Sequence, residues 1–168
     1  GDIQIEIYPS SQLGGERESV EGAQLGTIDL VYTAAAPLAN FTSANIEFMN
    51  LPFLFEDRAH AHAYFDSEDG WEKLNSLAPG LVGLSWAEVD FFDFFASSPI
   101  VEPEDLKGLN IRCMENTTYM TFLSTLGANP VPMAASEVPT ALSNGTIQGC
   151  SLGVPGSYNF GIFDGMYF

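Results

Sequence analysis

Few side chains in this 168-residue sequence could do chemistry, and their scarcity makes each one readable. The cations are Arg17, Arg58, Lys73, Lys107 and Arg112, set against 22 Asp and Glu. Arg112 ends a strand-like run, Leu109–Arg112. A planar guanidinium grips a carboxylate through two parallel hydrogen bonds. Arg112 is therefore either an anchor for an anionic ligand or half of a structural ion pair. Cys113 and Cys150 are too few for a disulfide framework or a zinc site. His60 and His62 diverge if they lie on a helix, and on a strand they share a face without an evident third ligand. They read as a solvated helix face, and neither metal nor cofactor is expected. Ser136 and Ser151 have no histidine at a matching position after a strand, so a nucleophilic triad is absent from the pattern. The pairs Asp90/Asp93 and Glu102/Glu104 read as solvated loop charges. No phosphate-cradling GxxxxGK[ST] stretch occurs. The expectation is a protein that binds rather than catalyses.

Composition narrows the partners. The formal charge is −17 and the isoelectric point is near 4.1. Phosphate contacts need clustered cations, so nucleic acid is not an expected partner. An anionic membrane surface is disfavoured for the same reason. No apolar run reaches the ~18 residues that a membrane helix needs, so no direct insertion is expected. The acid excess reads as a solubility device suited to high salt, where screening relieves self-repulsion. A chain that is 46% hydrophobic has ample material for a core.

The elements that would position these residues alternate. Ile3–Tyr8, Thr27–Thr33 and Leu81–Trp86 read as strands, and Phe48–Phe55 as a strand or buried loop. Helices are expected over Glu16–Leu25, stopped by Gly26, and over Asp57–Phe65 and Glu68–Ala78. The second half repeats the pattern. Strand Leu109–Met114 leads to helix Asn116–Leu126, whose Tyr119, Phe122, Leu123 and Leu126 fall at i, i+3, i+4 and i+7. Strand Asn129–Met133, a helix from a Ser136 N-cap to Ser143, and strand Thr146–Leu152 complete it. This is an α/β pattern with mainly parallel sheets. The expected division is lobe 1 over 1–88, an inter-lobe hinge over 89–97, lobe 2 over 98–152, and a return segment over 153–168. In open α/β sheets, ligands sit at the C-terminal ends of the strands.

Five stretches then carry a resemblance. They are Tyr8-Pro-Ser-Ser-Gln-Leu-Gly-Gly-Glu-Arg17, Gln24-Leu-Gly-Thr-Ile-Asp29, Leu51-Pro-Phe-Leu-Phe55, Glu104-Asp-Leu-Lys-Gly-Leu-Asn-Ile-Arg112 and Leu126-Gly-Ala-Asn-Pro-Val-Pro-Met133. In this order they resemble the substrate-binding proteins of tripartite ATP-independent periplasmic (TRAP) transporters, the DctP family. The resemblance implies a two-lobed, type II-like periplasmic binding protein, present here as an incomplete piece. It also implies a periplasmic location and delivery of a small organic carboxylate to a TRAP permease. A ligand-sensing input domain and an enzyme on the same fold are the alternative readings.

By the same resemblance, Arg112 occupies the position that pairs with the ligand carboxylate. Glu16 falls where an acid often follows the glycine pair; it either faces the ligand or favours a helix N-terminus. Thr33 and Ala34 occupy the turn where sialic-acid-binding relatives place an acid. Phe92 stands where many members carry a second arginine. Ala135 replaces a common Phe, and Leu152 replaces the Asn of a Gln-Glu-Asn-Pro signature, here Cys150-Ser151-Leu152-Gly153. These departures remove polar contacts and imply a monocarboxylate with an apolar body. Phe91, Phe92, Phe94 and Phe95 have core packing as their other reading. With Arg112 facing the cleft, Cys113 should face the core, whereas Cys150 shares the face of Leu152 and so the cleft; two free, mostly buried thiols are expected ahead of the alternative, a disulfide between neighbouring strands.

Overall fold

A computed structural model describes residues 3–39, 41, 46–77, 79–89, 91–163 and 166. Ala78 and Asp90, named above in a helix and an acid pair, lie outside them. The second half of the chain builds a four-stranded sheet from β1 (Phe92–Ala96), β2 (Asn110–Cys113), β3 (Asn129–Pro132) and β4 (Gly149–Gly153). Their order is β1-β4-β2-β3. β2 runs parallel to both β3 and β4, and only β1 is antiparallel. The segment 89–97, expected to bridge the lobes, thus contributes a strand to this sheet.

The pleat sorts side chains onto two faces. Arg112 pairs with Cys150 and Val131, and Cys150 pairs with Phe95, so these four share one face. Phe95, Cys150 and Leu152 pack there against Val138, Ala141, Ile147 and Ile162. Ile111 and Cys113 project oppositely, against Leu106, Leu123 and Ala128. Helix α5 (Thr117–Thr125) supplies Leu123 to that layer. Helix α6 (Val138–Ser143) supplies Val138 and Ala141 to the other. Gly149 sits where chains cross closely: a Cβ would lie 2.7 Å from the Phe95 carbonyl. Proline at the second position of α6 costs no hydrogen bond, because the first-turn N–H groups have no helical acceptor.

The first half packs around Val20, Leu38, Ile46, Leu74 and Leu77. Helix α1 (Glu16–Leu25) brings Val20, and Gly26, at φ 73°, ends it with its N–H on the Ala23 and Gly22 carbonyls. Short helix α2 (Ala35–Leu38) brings Leu38. Asp57 caps α3 (Arg58–Phe65) through the His60 N–H, and Ser67 caps α4 (Glu68–Asn75) through the Gly70 N–H. His60 and His62 lie exposed on α3, and Glu88 pairs with both His62 and Arg58. Among the described residues no cluster of His, Cys, Asp and Glu is arranged to hold a metal.

The expected strands at 3–8, 27–33 and 81–86 form no ladder among the described residues, and the second bends at Thr27 and Asp29. Their alternate apolar residues point to solvent: Ile3, Ile5, Ile7, Leu30, Tyr32, Val82 and Leu84 are all more than 60% exposed. Alternation sets which face a strand buries, but ladder bonds need a neighbour about 4.8 Å away. The run Phe48–Phe55, expected as a strand or buried loop, begins in a 3-10 turn, Glu47–Asn50, and goes on without strand, with Leu51 and Phe53 exposed.

Both thiols are free and buried, on opposite faces of adjacent strands; Cys150, expected toward the cleft, packs in the core instead. Burial pushes Cys113 and Cys150 up to about 11, with Arg112 pulling the other way. Alkylation at pH 8 should therefore label neither thiol in the folded protein and both after unfolding in urea. Above pH 9 the unfolded chain loses thiol protons that the folded chain keeps, so stability falls as pH rises toward 11. A urea titration series read by iodoacetamide labelling and melting temperature checks both outcomes.

Candidate functional site

Arg112 is 1% exposed, with one of the largest buried side chains in the molecule. Burying an unpaired cation is costly, so its surroundings must compensate. Two backbone carbonyls do so in part: Nε donates to Met133 O at 3.0 Å and Nη1 to Ser151 O at 3.2 Å. Both carbonyls lie on strands or strand ends flanking β2, so the sheet itself fixes the guanidinium plane. A guanidinium has five N–H groups. Two are used here, and Nη2 has no hydrogen-bond partner among the described residues. The remaining edge, Nη1 with Nη2, is the edge that grips a carboxylate in a two-bond fork. Burial pushes Arg112 below its ordinary value, and the charge of Glu16 acts most strongly against that shift, followed by Cys150, Cys113 and Glu137.

Glu16 reaches this place from the first half of the chain. The Gly14-Gly15 pair leads into α1, and Glu16 is its first residue. Its Oε1 accepts the Ala34 N–H at 3.3 Å, and Thr33 Oγ1 donates to Ala34 O at 3.4 Å. Glu16, Thr33 and Ala34 are thus brought together, and Glu16 lies within electrostatic reach of Arg112. Glu16 starts a helix, as one of its two readings had it, and it also borders a cleft. A cleft of about 330 Å³ borders Glu16, with Gly14, Gly15, Met133, Ala134 and Glu137 also in its lining; Arg112, Thr33 and Ala34 do not line it.

Three expected residues sit elsewhere. Phe92 projects to the face opposite Arg112 and lies 6.2 Å from the Tyr119 ring, centroid to centroid. Leu152 is 8% exposed within the core. Ala135 starts the 3-10 turn Ala135–Glu137 and packs against that same core. None of the three lines the cleft, whose lining mixes Pro37, Met133 and Ala134 with glycine, serine and carboxylate groups.

Sequence reasoning passed over the joint between the two halves. Asn116 caps α5, its Oδ1 accepting from the Thr118 and Tyr119 amides. Its Nδ2 donates to Ala36 O at 3.3 Å and to Glu47, whose carboxylate also accepts from Thr118 Oγ1 at 2.7 Å. Four residues past Arg112, Asn116 therefore ties the end of β2 to α2. The signal available was Asn at a helix start, which announces a cap but not its second partner.

The model of the bacterial extracellular solute-binding protein family 7, DctP, matches residues 1–164. The chain is 41% identical over 151 residues to a solute-binding protein of Verminephrobacter eiseniae, covering 89% of this chain and 45% of that protein. Two solved structures are close in shape. One is a TRAP periplasmic solute-binding protein from Xanthobacter autotrophicus with bound β-D-galacturonate: TM-score 0.91, 36% identity, 99% of this chain and 56% of that one. The other, from a Polaromonas species and bound to D-erythronate, has TM-score 0.90, 40% identity, and covers 95% of this chain and 53% of that one. The chain belongs to the DctP family of extracellular solute-binding proteins and carries an incomplete two-lobed α/β fold of the TRAP receptor type. It spans about half the length of the relatives it matches.

Replacing Asn116 with Ala removes the cap and the contacts to Ala36 and Glu47 together. We expect a loss of about 1–3 kcal/mol in urea unfolding, because one cap and one buried donor go at once.

Proposed function

We propose that this chain is the ligand-gripping part of a periplasmic receptor that captures a small organic carboxylate and passes it to a TRAP permease. The observation that carries the reading is Arg112: a buried cation at the end of a parallel strand, oriented by two carbonyls and left with an open fork edge. The family membership and the sugar acids bound in the two similar structures support it. Ligand entry would neutralise the guanidinium and draw the two halves together, with the walls that bear Glu16 and Glu137 closing by hinge motion. An uncharged analogue leaves Arg112 unpaired, which gives the site its selectivity for anions.

A receptor accounts for these residues better than an enzyme. The thiols nearest Arg112 are pushed up to about 11, which makes them poor nucleophiles. The two histidines lie exposed on α3 and are absent from the lining of the cleft.

A thermal-shift screen of organic acids on the receptor at its natural length tests the reading, and raised melting temperatures with carboxylates are expected. Absence of a shift with every acid contradicts it. Arg112→Lys keeps the charge and loses the fork. It should weaken binding by about one to two orders of magnitude, ~1.5–3 kcal/mol, by calorimetry, and Arg112→Ala should abolish it. Unchanged affinity in the Ala variant removes Arg112 from the site.

A further inference from the structure

Among the described residues the chain passes from the first half to the second between Trp86, packed on the first core, and Phe92, where β1 begins. A covalent crossing of this kind lets two halves swing unless a second contact joins them. The 3-10 turn Glu47–Asn50 supplies one by packing on α5. No other pair of elements from opposite halves packs as closely among the described residues. Both sides of the contact are rooted. Ile46 is fully buried and Met49 packs on the same cluster, so the turn stands on the first core. Met120, Phe122 and Leu123 hold α5 on the core of the second half. Across the gap, the Glu47 carboxylate accepts from Thr118 Oγ1 at 2.7 Å and from Asn116 Nδ2 at 3.3 Å. The same Nδ2 donates to Ala36 O at 3.3 Å, and Asn116 is only 2% exposed.

These bonds stand beside the cleft that borders Glu16. Pro37 and Glu115 are in its lining, and they are the chain neighbours of Ala36 and Asn116. Glu47, Ala36, Asn116 and Thr118 are themselves absent from that lining, and the Arg112 guanidinium donates to other groups, Met133 O and Ser151 O. Opening of the halves would part the turn from α5 and hand each bonded group to water. The bonds therefore favour the closed arrangement and not the open one, and a contact made in one state only biases the equilibrium between the two. A charged acceptor makes such bonds stronger than neutral ones. We infer that Glu47, Thr118 and Asn116 form a latch that holds the halves closed over the ligand and sets how long it stays, without choosing which ligand is taken. This rests on the carboxylate-receptor reading and adds to it the control of release. The latch closes after the ligand has entered, so it acts on dissociation and leaves association untouched.

Stopped-flow kinetics and calorimetry on the natural-length receptor test it, with D-galacturonate, D-erythronate, L-malate and succinate as probes. Thr118→Val keeps the size of the side chain and the amide that Asn116 caps, and removes the donor to Glu47. For every probe that binds, its dissociation rate should rise by about tenfold, and by one common factor. Association rates should stay within about twofold of the wild type. Glu47→Gln keeps an accepting oxygen and loses the charge, so a smaller rise in the same direction, about threefold, is expected. The double variant should exceed the stronger single one by less than the product of the two factors, because both act through one contact. Binding stoichiometry and melting temperature check folding. Unchanged dissociation in both folded variants overturns the inference and leaves the receptor reading standing. So does slowed association in place of faster dissociation, or a factor that differs widely between probes, which would put these residues on the ligand. Binding of none of the four acids overturns the receptor reading and the latch with it. Should one variant fail to fold, the other decides.

Discussion

The structure depends on a cation that cannot leave the interior and cannot be fully satisfied there. Arg112 lies in the central region of a four-stranded sheet, flanked on both sides by parallel strands. A lysine at this place would offer a mobile point charge. The guanidinium offers a plane, and the carbonyls of Met133 and Ser151 lock that plane from either side. What remains is a donor edge with fixed direction. Under the proposed function, such an edge lowers the ordering cost of capture, because the protein side is set before ligand arrives.

The rest of the fold reads as support for that edge. Both sheet faces are filled with apolar side chains, so the strands bearing Arg112 and its carbonyl partners cannot shift independently. Asn116 fastens the end of β2 to α2 and to Glu47, which connects Arg112 to the half of the chain that carries Glu16. The excess of acid, spread over the surface, repels other copies and confers solubility.

Legibility differed between the halves for physical reasons. The sheet half was readable because its elements are complete in sequence: Tyr119, Phe122, Leu123 and Leu126 mark α5, β2 and β3 fall within the expected strands, and β4 overlaps its expected strand but runs one residue beyond it. The facing of Cys113 followed from strand alternation with Arg112 as reference. The strands expected at 3–8, 27–33 and 81–86 failed as ladders because period-two patterning states a preference for burial without supplying a neighbour. At the site, Arg112 and Glu16 were visible as rare or well-placed charges. Phe92 and Leu152 were assigned from position, whereas their facing is set by the antiparallel register of β1 on β4, which no local pattern reports. The carbonyls of Met133 and Ser151 have no sequence signature at all.

The most direct measurement is a crystal structure of the natural-length receptor with a bound carboxylate. The account predicts both ligand oxygens on the Nη1–Nη2 edge of Arg112, at about 2.7–2.9 Å, with the Met133 and Ser151 carbonyls still on Nε and Nη1. A ligand seated elsewhere, or Arg112 turned onto a protein carboxylate with the ligand bound, would contradict it.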